Sequence, residues 1–582
     1  MARADLLIVN ARPWSDGRLL PNADAVAVRA GRIVACGRSA DLESLAGPDT
    51  RRLDVGGATV TPGITDAHVH LVAWARSLDE VSLVDIDSRR GVVSAVQRGA
   101  ARSRGAVVVG RGWAEDGWEA PPDHEALDAI AEGRPILLHS KDYHALWVNR
   151  TAMVAAGVDR NTPDPPGGKI ERRMSGELTG VFREHAVRLF DALVPRPSVQ
   201  GDLERVQDAA SRLLSMGVTA VHDFEGEAEA AVLKAMVEGQ GPKVRVLMHF
   251  HHQALDRTLP GELASRPGDD AFAWGALKLF ADGTLGSRTA HVLDPYDGME
   301  DSGMALIPLD ELRALVGHAV RDGLSVAVHA IGDRAVRSAL DAFEACGSHL
   351  QRLRLRPRIE HAQLVADEDR PRFARLGVVA SMQPAHCTSD RPLVERFWSA
   401  RAARSYPWRT LLDAGASLAF GSDAPVEWPS PARGLHAAVT REAADRPGDS
   451  FVPAQRITLD EALTAYTRIP AQLAGAWPDR GCISPSAIAD LVIWDADLHQ
   501  IPPSDLHQVS PAFTVVGGVV RFERIASAAG MASSVREATP GRSTSWSVAI
   551  ARRCTARRSR SSATRRTPPR RCRTPSSRPS AG

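Results

Sequence analysis

The sequence predicts an α/β protein whose body is a (β/α)8 barrel, carrying a small β-sandwich built from both termini and an inserted subdomain. Three observations lead there. Eight short apolar stretches follow one another with helical segments between several of them, two β-rich ends flank that middle, and one interval between strands is too long for a single crossover.

The first 60 residues read as strands. ADLLIVNA (4–11) and AVAVRAGRIVACG (25–37) are β-rich, the second folding as a hairpin over Ala30-Gly31. The same vocabulary returns in IADLVIWDAD (488–497) and in FTVVGGVVRF (513–522), which turns at Gly517-Gly518. Residues 1–58 and 478–525 are therefore assigned to one composite sandwich. The barrel is assigned to 59–78 and 206–477. Its strands are GITDAHVH (63–70), TAVHDF (219–224), VRVLMHF (244–250), GALKLF (275–280), SVAVHA (325–330), RIEHAQ (358–363), VVASMQ (378–383) and SLAFGSD (417–423). Amphipathic runs such as DLERVQDAASRLLSMG (202–217) and LDELRALVGHAVRDG (309–323) supply helices. Residues 79–205 form the insertion, where GGKIERRMSGELTGVFRE (167–184) reads as a hairpin over Ser175-Gly176. Residues 526–582 lack hydrophobic periodicity and read as a disordered, arginine-rich tail.

Charge separates tail from body. Residues 541–582 hold 12 arginines and no acid; taking these from the 71 basic residues leaves 59 against 70 acidic ones, a formal −11 for 1–540. At 44% hydrophobic, the chain can bury a large core. No apolar run approaches the roughly 18 residues of a membrane span, and the start lacks a signal-peptide core. The six cysteines stand without CxxC spacing, against a disulfide framework or a cysteine-zinc knuckle. A reduced, cytoplasmic enzyme is the expectation.

Metal-binding residue types stand at the C-terminal ends of the barrel strands. His68 and His70 form H-x-H on the first, Lys278 lies on the fourth, His329 on the fifth, His361 on the sixth and Asp423 on the eighth. All such ends meet on one face of a barrel, and residues i and i+2 of a strand point the same way. Imidazole and carboxylate suit zinc and related divalent ions. Singly, each histidine is more often a core residue, and Asp423 could cap a turn. Five strands supplying such groups at one end make a metal site. Lys278 stands out because the chain has five lysines against 66 arginines, and this one lies in an apolar strand. A buried ammonium is costly unless paired or neutralised.

Several motifs in order make the sequence recognisable: TPGITDAHVHL (61–71), LKLFADGTLGSR (277–288), AVHAIGDRAV (327–336), RIEHAQLV (358–365), SMQPAH (381–386) and FGSDAPVEWPSP (420–431). With GW (112–113), DYHALWVN (142–149) and PDPPGGKI (163–170) they resemble the amidohydrolase superfamily over roughly residues 5–525. The match is to its family 3, the YtcJ-like branch that includes N-substituted formamide deformylases. The resemblance implies a distorted TIM barrel and one or two divalent ions, with zinc expected. It also implies that Lys278 reacts with CO2 to form a carbamate whose oxygens bridge two metals. A Schiff-base lysine or a buried ion pair remain the alternatives for Lys278. By the same resemblance His68 and His70 hold one metal, His329 and His361 the other, and Asp423 completes the first. Asp423 is also the expected general base. No cysteine lies between residues 37 and 345 to bridge metals as in the D-aminoacylase branch.

Trp113, His144, Glu184, Arg288, Asp333 and His386 are candidate substrate contacts, while His222, His249, His251 and His252 read as pocket wall or support. The expected reaction is hydrolysis of a non-peptide C–N bond in a small linear amide or N-substituted formamide. Deamination or cyclic-amide opening at the same site is the alternative. A rival of a different class, nucleic-acid binding through the tail, is disfavoured because the tail lacks interleaved aromatics. Neither nucleic acid nor membrane is an expected partner, and a homo-oligomer remains open.

The tail begins where the resemblance stops, and its Arg, Ser, Pro, Thr and Ala are what a GC-rich gene gives when read in a shifted frame. A genuine basic extension is the alternative. Ending the chain after Arg524 is expected to leave folding and turnover intact, as circular dichroism and an activity assay will show; a large loss of either means that the tail packs on the body.

Overall fold

Strand runs that are apolar almost throughout belong in a sheet covered on both faces, and eight of them form one parallel sheet here. In chain order they are Ile64–Val69, Val218–Asp223, Arg245–His251, Phe272–Phe280, Val326–Ala330, Arg358–His361, Val379–Met382 and Ser417–Phe420. Each pairs with its chain neighbours. The ends meet beyond the last strand, where the Asp423 amide donates to the His68 carbonyl at 2.7 Å and the His70 amide to the Ala424 carbonyl at 2.8 Å. This is the expected (β/α)8 TIM barrel, and it is distorted. Register shifts interrupt the pairing of the first and second strands, and of the third and fourth. The computed structural model describes residues 3–524, apart from 85, 103–105, 116, 131–132, 195–197 and 253–270. Contacts gather Met1–Arg524 into one unit, and the expected tail at 526–582 lies outside the described residues.

The helices follow from their sequences. Val199–Ser215 starts at Ser198, whose side chain accepts from the Gly201 amide, and buries Val206, Ala209, Ala210, Leu213 and Leu214. Asp333–Ala345 buries Ala335, Val336, Ala339, Leu340 and Phe343 on one stripe. These faces join the large core around the barrel. No helix among the described residues is long and apolar enough to cross a membrane.

Two further sheets form the sandwich. One holds Arg32–Gly37, Ala25–Arg29, Leu6–Val9 and Arg51–Asp54. The other combines both ends of the chain: Val519–Glu523, Pro511–Val516, Leu491–Trp494, Thr59–Pro62, Arg12–Ser15 and Arg18–Leu19. Ile8, Val26, Leu53, Val60, Ile493 and Val515 share its core. The hairpins turn where expected, with φ of 49° and 77° at Ala30 and Gly31, and 57° and 76° at Gly517 and Gly518. The two turns press together: a Cβ on Gly518 would lie 2.8 Å from the Gly31 Cα. Glycine there serves packing as well as turn geometry.

The insertion carries a sheet in the order Gly168–Arg172, Leu178–Glu184, Ala145–Val148, Ile136–Ser140, Val108–Trp113, Val81–Ser82. Its hairpin turns at Ser175-Gly176, with Gly176 at φ 83°. Two of its acids reach the loop after the fourth barrel strand. Asp142 accepts from Thr284 Oγ1 at 2.6 Å and Ser287 Oγ at 3.3 Å, and Glu184 accepts from Thr289. That places the insertion over the C-terminal ends of the barrel strands.

Candidate metal centre and active site

The strand period aims His68 and His70 at one carboxylate. Their Nε2 atoms lie 3.5 and 3.4 Å from Asp423 Oδ1. Asp66, two residues before His68, anchors the other side by accepting from the Ser422 amide at 2.8 Å and Ser422 Oγ at 2.5 Å. Burial outweighs those bonds and pushes the Asp66 carboxyl up to about 6. A Cβ on Gly421 would come 2.4 Å from the His68 amide, so only glycine lets the eighth strand's end approach this closely. Asp423 at φ 60° and His361 at φ 73° hold left-handed backbone, local strain of a kind that gathers at functional sites.

The far oxygen of Asp423 faces other rings. His386 Nε2 lies 3.8 Å and His361 Nδ1 4.0 Å from Oδ2. Two groups of donors therefore converge within 4.8 Å: His68, His70 and Asp423, and His361, His386 and Asp423. Two donors each about 2.1 Å from a tetrahedral ion lie about 3.4 Å apart, which the first group matches. Imidazoles around one carboxylate are the donor set of a zinc-like cation. Burial alone would raise the Asp423 pKa, but the histidines around it hold the carboxyl well below its usual range.

His329 is buried close by, its ring 4.5 Å from that of His361, but its Nε2 donates to the Gly283 carbonyl at 3.2 Å. Neither donor group includes it. Lys278 is 1% exposed, with Nζ 4.5 Å from the centre of the Phe224 ring and 4.8 Å from that of Phe280. Burial pushes its pKa down to about 8, against the opposing pull of Glu360 and Asp423.

The rings are held from behind. His68 Nδ1 donates to Glu360 Oε2 at 2.6 Å, which leaves Nε2 for the centre. Arg358 donates to the same Glu360 oxygen at 3.1 Å, to the Ala67 carbonyl at 2.6 Å and to His222 Nδ1 at 3.0 Å. Gln383 Oε1 accepts from His361 Nδ1 at 2.9 Å. Phe224 stacks between His68 and His249, 4.1 Å from each. Sequence reasoning missed Glu360, Arg358 and Gln383. A signal existed for the first two: charged residues at i and i+2 of a buried strand share a face and need partners there.

A cavity of about 850 Å3 opens onto these groups. It is lined by His68, His70, Lys278, His329, His361, His386 and Asp423, and on the insertion side by Trp113, His144 and Glu184. His144 Nδ1 donates to Glu184 Oε2 at 2.8 Å. Burial by itself would lower the His144 pKa, but Glu184, Asp142 and Asp423 push it up to about 9. Trp113 is anchored by its Nε1 donating to the Leu138 carbonyl at 2.7 Å. His251 and His252 line the cavity, whereas His222 and His249 lie in the barrel interior. Arg288 and Asp333 are not on the cavity wall. Arg288 reaches Glu115 at 3.7 Å, and Asp333 accepts from the Leu293 amide at 2.8 Å, so both fasten loops.

Known proteins resemble this chain along most of its length. The model of the family described as "Amidohydrolase family" matches residues 52–522. The YtcJ protein of Bacillus subtilis (strain 168) is 32% identical over 516 residues, covering 86% of this chain and 96% of that one. The N-substituted formamide deformylase of Arthrobacter pascens is 29% identical over 542 residues, 90% of this chain and 99% of its own length. The crystal structure of an uncharacterized metal-dependent hydrolase from Pyrococcus furiosus superposes with a TM-score of 0.67 at 29% identity, over 84% of this chain and 99% of that chain.

Proposed function

This chain belongs to the amidohydrolase family, a metal-dependent hydrolase of carbon–nitrogen bonds, and we propose that it hydrolyses a linear amide, most specifically an N-substituted formamide. The observation that carries the reading is the set of imidazoles around Asp423, opening onto the 850 Å3 cavity. The formamide class is supported by the similarity to the Arthrobacter deformylase along nearly its whole length. The cavity has room for a sizeable substituent on nitrogen.

His68, His70 and Asp423 would hold one ion, zinc by donor type, and His361 would take part in a second, with His329 and Lys278 beside it. When bound, such ions lower the pKa of water toward neutral and polarise a carbonyl. Asp423 is the base. Held below its ordinary range, it stays ionised at every working pH, accepts a proton at a carboxylate oxygen only from a strongly acidified donor, and readily returns it to the leaving nitrogen. His144, kept protonated by Glu184, presents a cationic donor from the insertion wall to orient the carbonyl or the leaving group. Trp113 and its neighbours exclude water behind the substrate. Carboxylation of Lys278 also belongs to this proposal. The described cysteines, Cys36, Cys346, Cys387 and Cys482, are all free thiols, which supports placing the enzyme in the cytoplasm.

Screening the zinc-loaded protein against N-substituted formamides, acyl-amino acids and lactams tests the reading. Formate release from formamides, abolished by a chelator and restored by metal, is the expected result. Turnover confined to lactams would move the assignment to cyclic-amide opening, and turnover indifferent to metal removal would end it.

A further inference from the structure

His68 and His70 are held in different ways. The His68 side chain is 1% exposed and is fixed from behind, its Nδ1 donating to Glu360. The His70 side chain is 29% exposed, and no hydrogen bond meets its Nδ1 among the described residues. With no partner behind the ring, its direction is set by the backbone that carries it. Resting on the metal-dependent function above, we propose that Asp223 and Glu225 are positioning residues for the metal centre. Their carboxylates grip the first turn of the helix after His70 and so fix the backbone from which that ligand projects.

The contacts account for every free amide of that turn. His70 is the N-cap of the helix Leu71–Ser77, and its own side chain caps nothing. A helix start leaves its first amides without acceptors inside the helix. Here the Leu71 amide donates to Asp223 Oδ2 at 2.8 Å, and the Val72 and Ala73 amides donate to Glu225 Oε2 and Oε1 at 2.7 and 2.8 Å. The Trp74 amide then donates to the His70 carbonyl at 2.8 Å, which begins the helix's own ladder. An ordinary helix start is capped by its own N-cap side chain. This one is held by two acids more than 150 positions along the chain.

The segment HDFE (222–225) carries the whole device. Asp223 ends the second barrel strand, and the Phe224 amide donates onward to the Val69 carbonyl at 3.1 Å. Alternation along an extended chain turns Asp223 and Glu225 to one side and Phe224 to the other. Phe224 stacks on the His68 ring at 4.1 Å. One segment therefore supports both members of the H-x-H, the first through its ring and the second through its backbone. The Glu225 amide donates to Asp223 Oδ1 at 3.0 Å, which ties the two acids together. Neighbouring carboxylates repel each other, and the positive end of a helix offsets that cost. Neither acid lines the cavity, so both act through His70 and not on the substrate.

Metal affinity tests the assignment without using activity. Glu225→Gln keeps the side chain's shape but replaces one acceptor by an NH2 group, which cannot accept from an amide. Asp202→Asn is the control: Asp202 accepts from Arg76 Nη2 at 2.6 Å and Nε at 3.1 Å, bracing the other end of the same helix. Wild type and both variants, as full chains freed of metal by chelator dialysis, are titrated with Zn2+ by calorimetry with no substrate present. Glu225→Gln is expected to bind zinc about 10–100-fold more weakly. Its visible absorption with Co2+ in place of Zn2+ should also change, since that spectrum reports the angles between ligands. Asp202→Asn is expected to melt at a lower temperature with zinc affinity within about threefold of wild type. If Glu225→Gln does not fold, seen by circular dichroism, Glu225→Asp keeps the charge, shortens the reach and carries the same comparison. Unchanged zinc affinity in the Glu225 variant, or an equal loss in Asp202→Asn, overturns the proposal and leaves metal-dependent hydrolysis standing. A wild type that binds no zinc and works without metal defeats the functional reading as well.

Discussion

Asp423→Asn is expected to lower kcat by roughly 10²–10⁴-fold while the protein keeps much of its metal. At about 1.4 kcal/mol per decade, that is about 3–5 kcal/mol of lost transition-state stabilisation. Asparagine fills the same space and retains one oxygen donor, so the His68–His70 side of the centre, 3.4–3.5 Å from a single oxygen, can still bind. It cannot accept a proton. The dominant loss should therefore fall on kcat, with metal content and melting temperature moving far less. Activity within about threefold of wild type would remove Asp423 from the base role. A loss explained entirely by missing metal would make it a ligand only.

Lys278→Ala is expected to reduce bound metal from two equivalents to one or none and to abolish nearly all turnover. In the carbamate reading the neutral amine attacks the carbon of CO2, a C–N bond forms, one N–H proton leaves to solvent, and the lysine becomes an anion with two oxygens. Burial favours the neutral amine that reacts, bringing the pKa down to about 8. A short-chain carboxylic acid should partly restore metal and activity, because the group removed is in effect a carboxylate. The other two readings of Lys278 predict different results. A Schiff-base lysine would be trapped by borohydride with substrate, and its loss would leave the metal count unchanged. A structural ion pair would show lower stability with metal retained, Glu360 and Asp423 being the carboxylates whose charge acts on Lys278. An unchanged metal count rules out the bridge.

The barrel was legible because its strands are short apolar runs bounded by polar breaks, so burial on both faces is written in each segment by itself. GALKLF and SVAVHA need no partner to declare that they are core strands. The H-x-H was legible for a related reason: the two-residue period of a strand fixes the shared direction of His68 and His70 before any tertiary contact forms. The sandwich was readable from composition at both ends, and its turns from glycine pairs whose positive φ the chain requires.

Function in the loops was not legible in this way. His386 sits on a short helix after the seventh strand, and nothing in SMQPAH states which way its ring points. Arg288 and Asp333 lie inside strong motifs, yet their side chains fasten loops to Glu115 and the Leu293 amide. Glu360 orients His68 from 292 positions further along the chain. His144 and Glu184 overlook the cavity because the insertion docks on the loop after the fourth strand through Asp142 and Thr284.

The sequence by itself determined the class of fold, the face on which chemistry occurs and the kinds of donor available there, since these follow from local period and residue type. Only the tertiary structure decided which rings meet which oxygen of Asp423 and which side chains hold them in place. Those choices rest on distances of a few ångströms between segments far apart in the chain, and strand closure and loop packing set them, not local sequence preference.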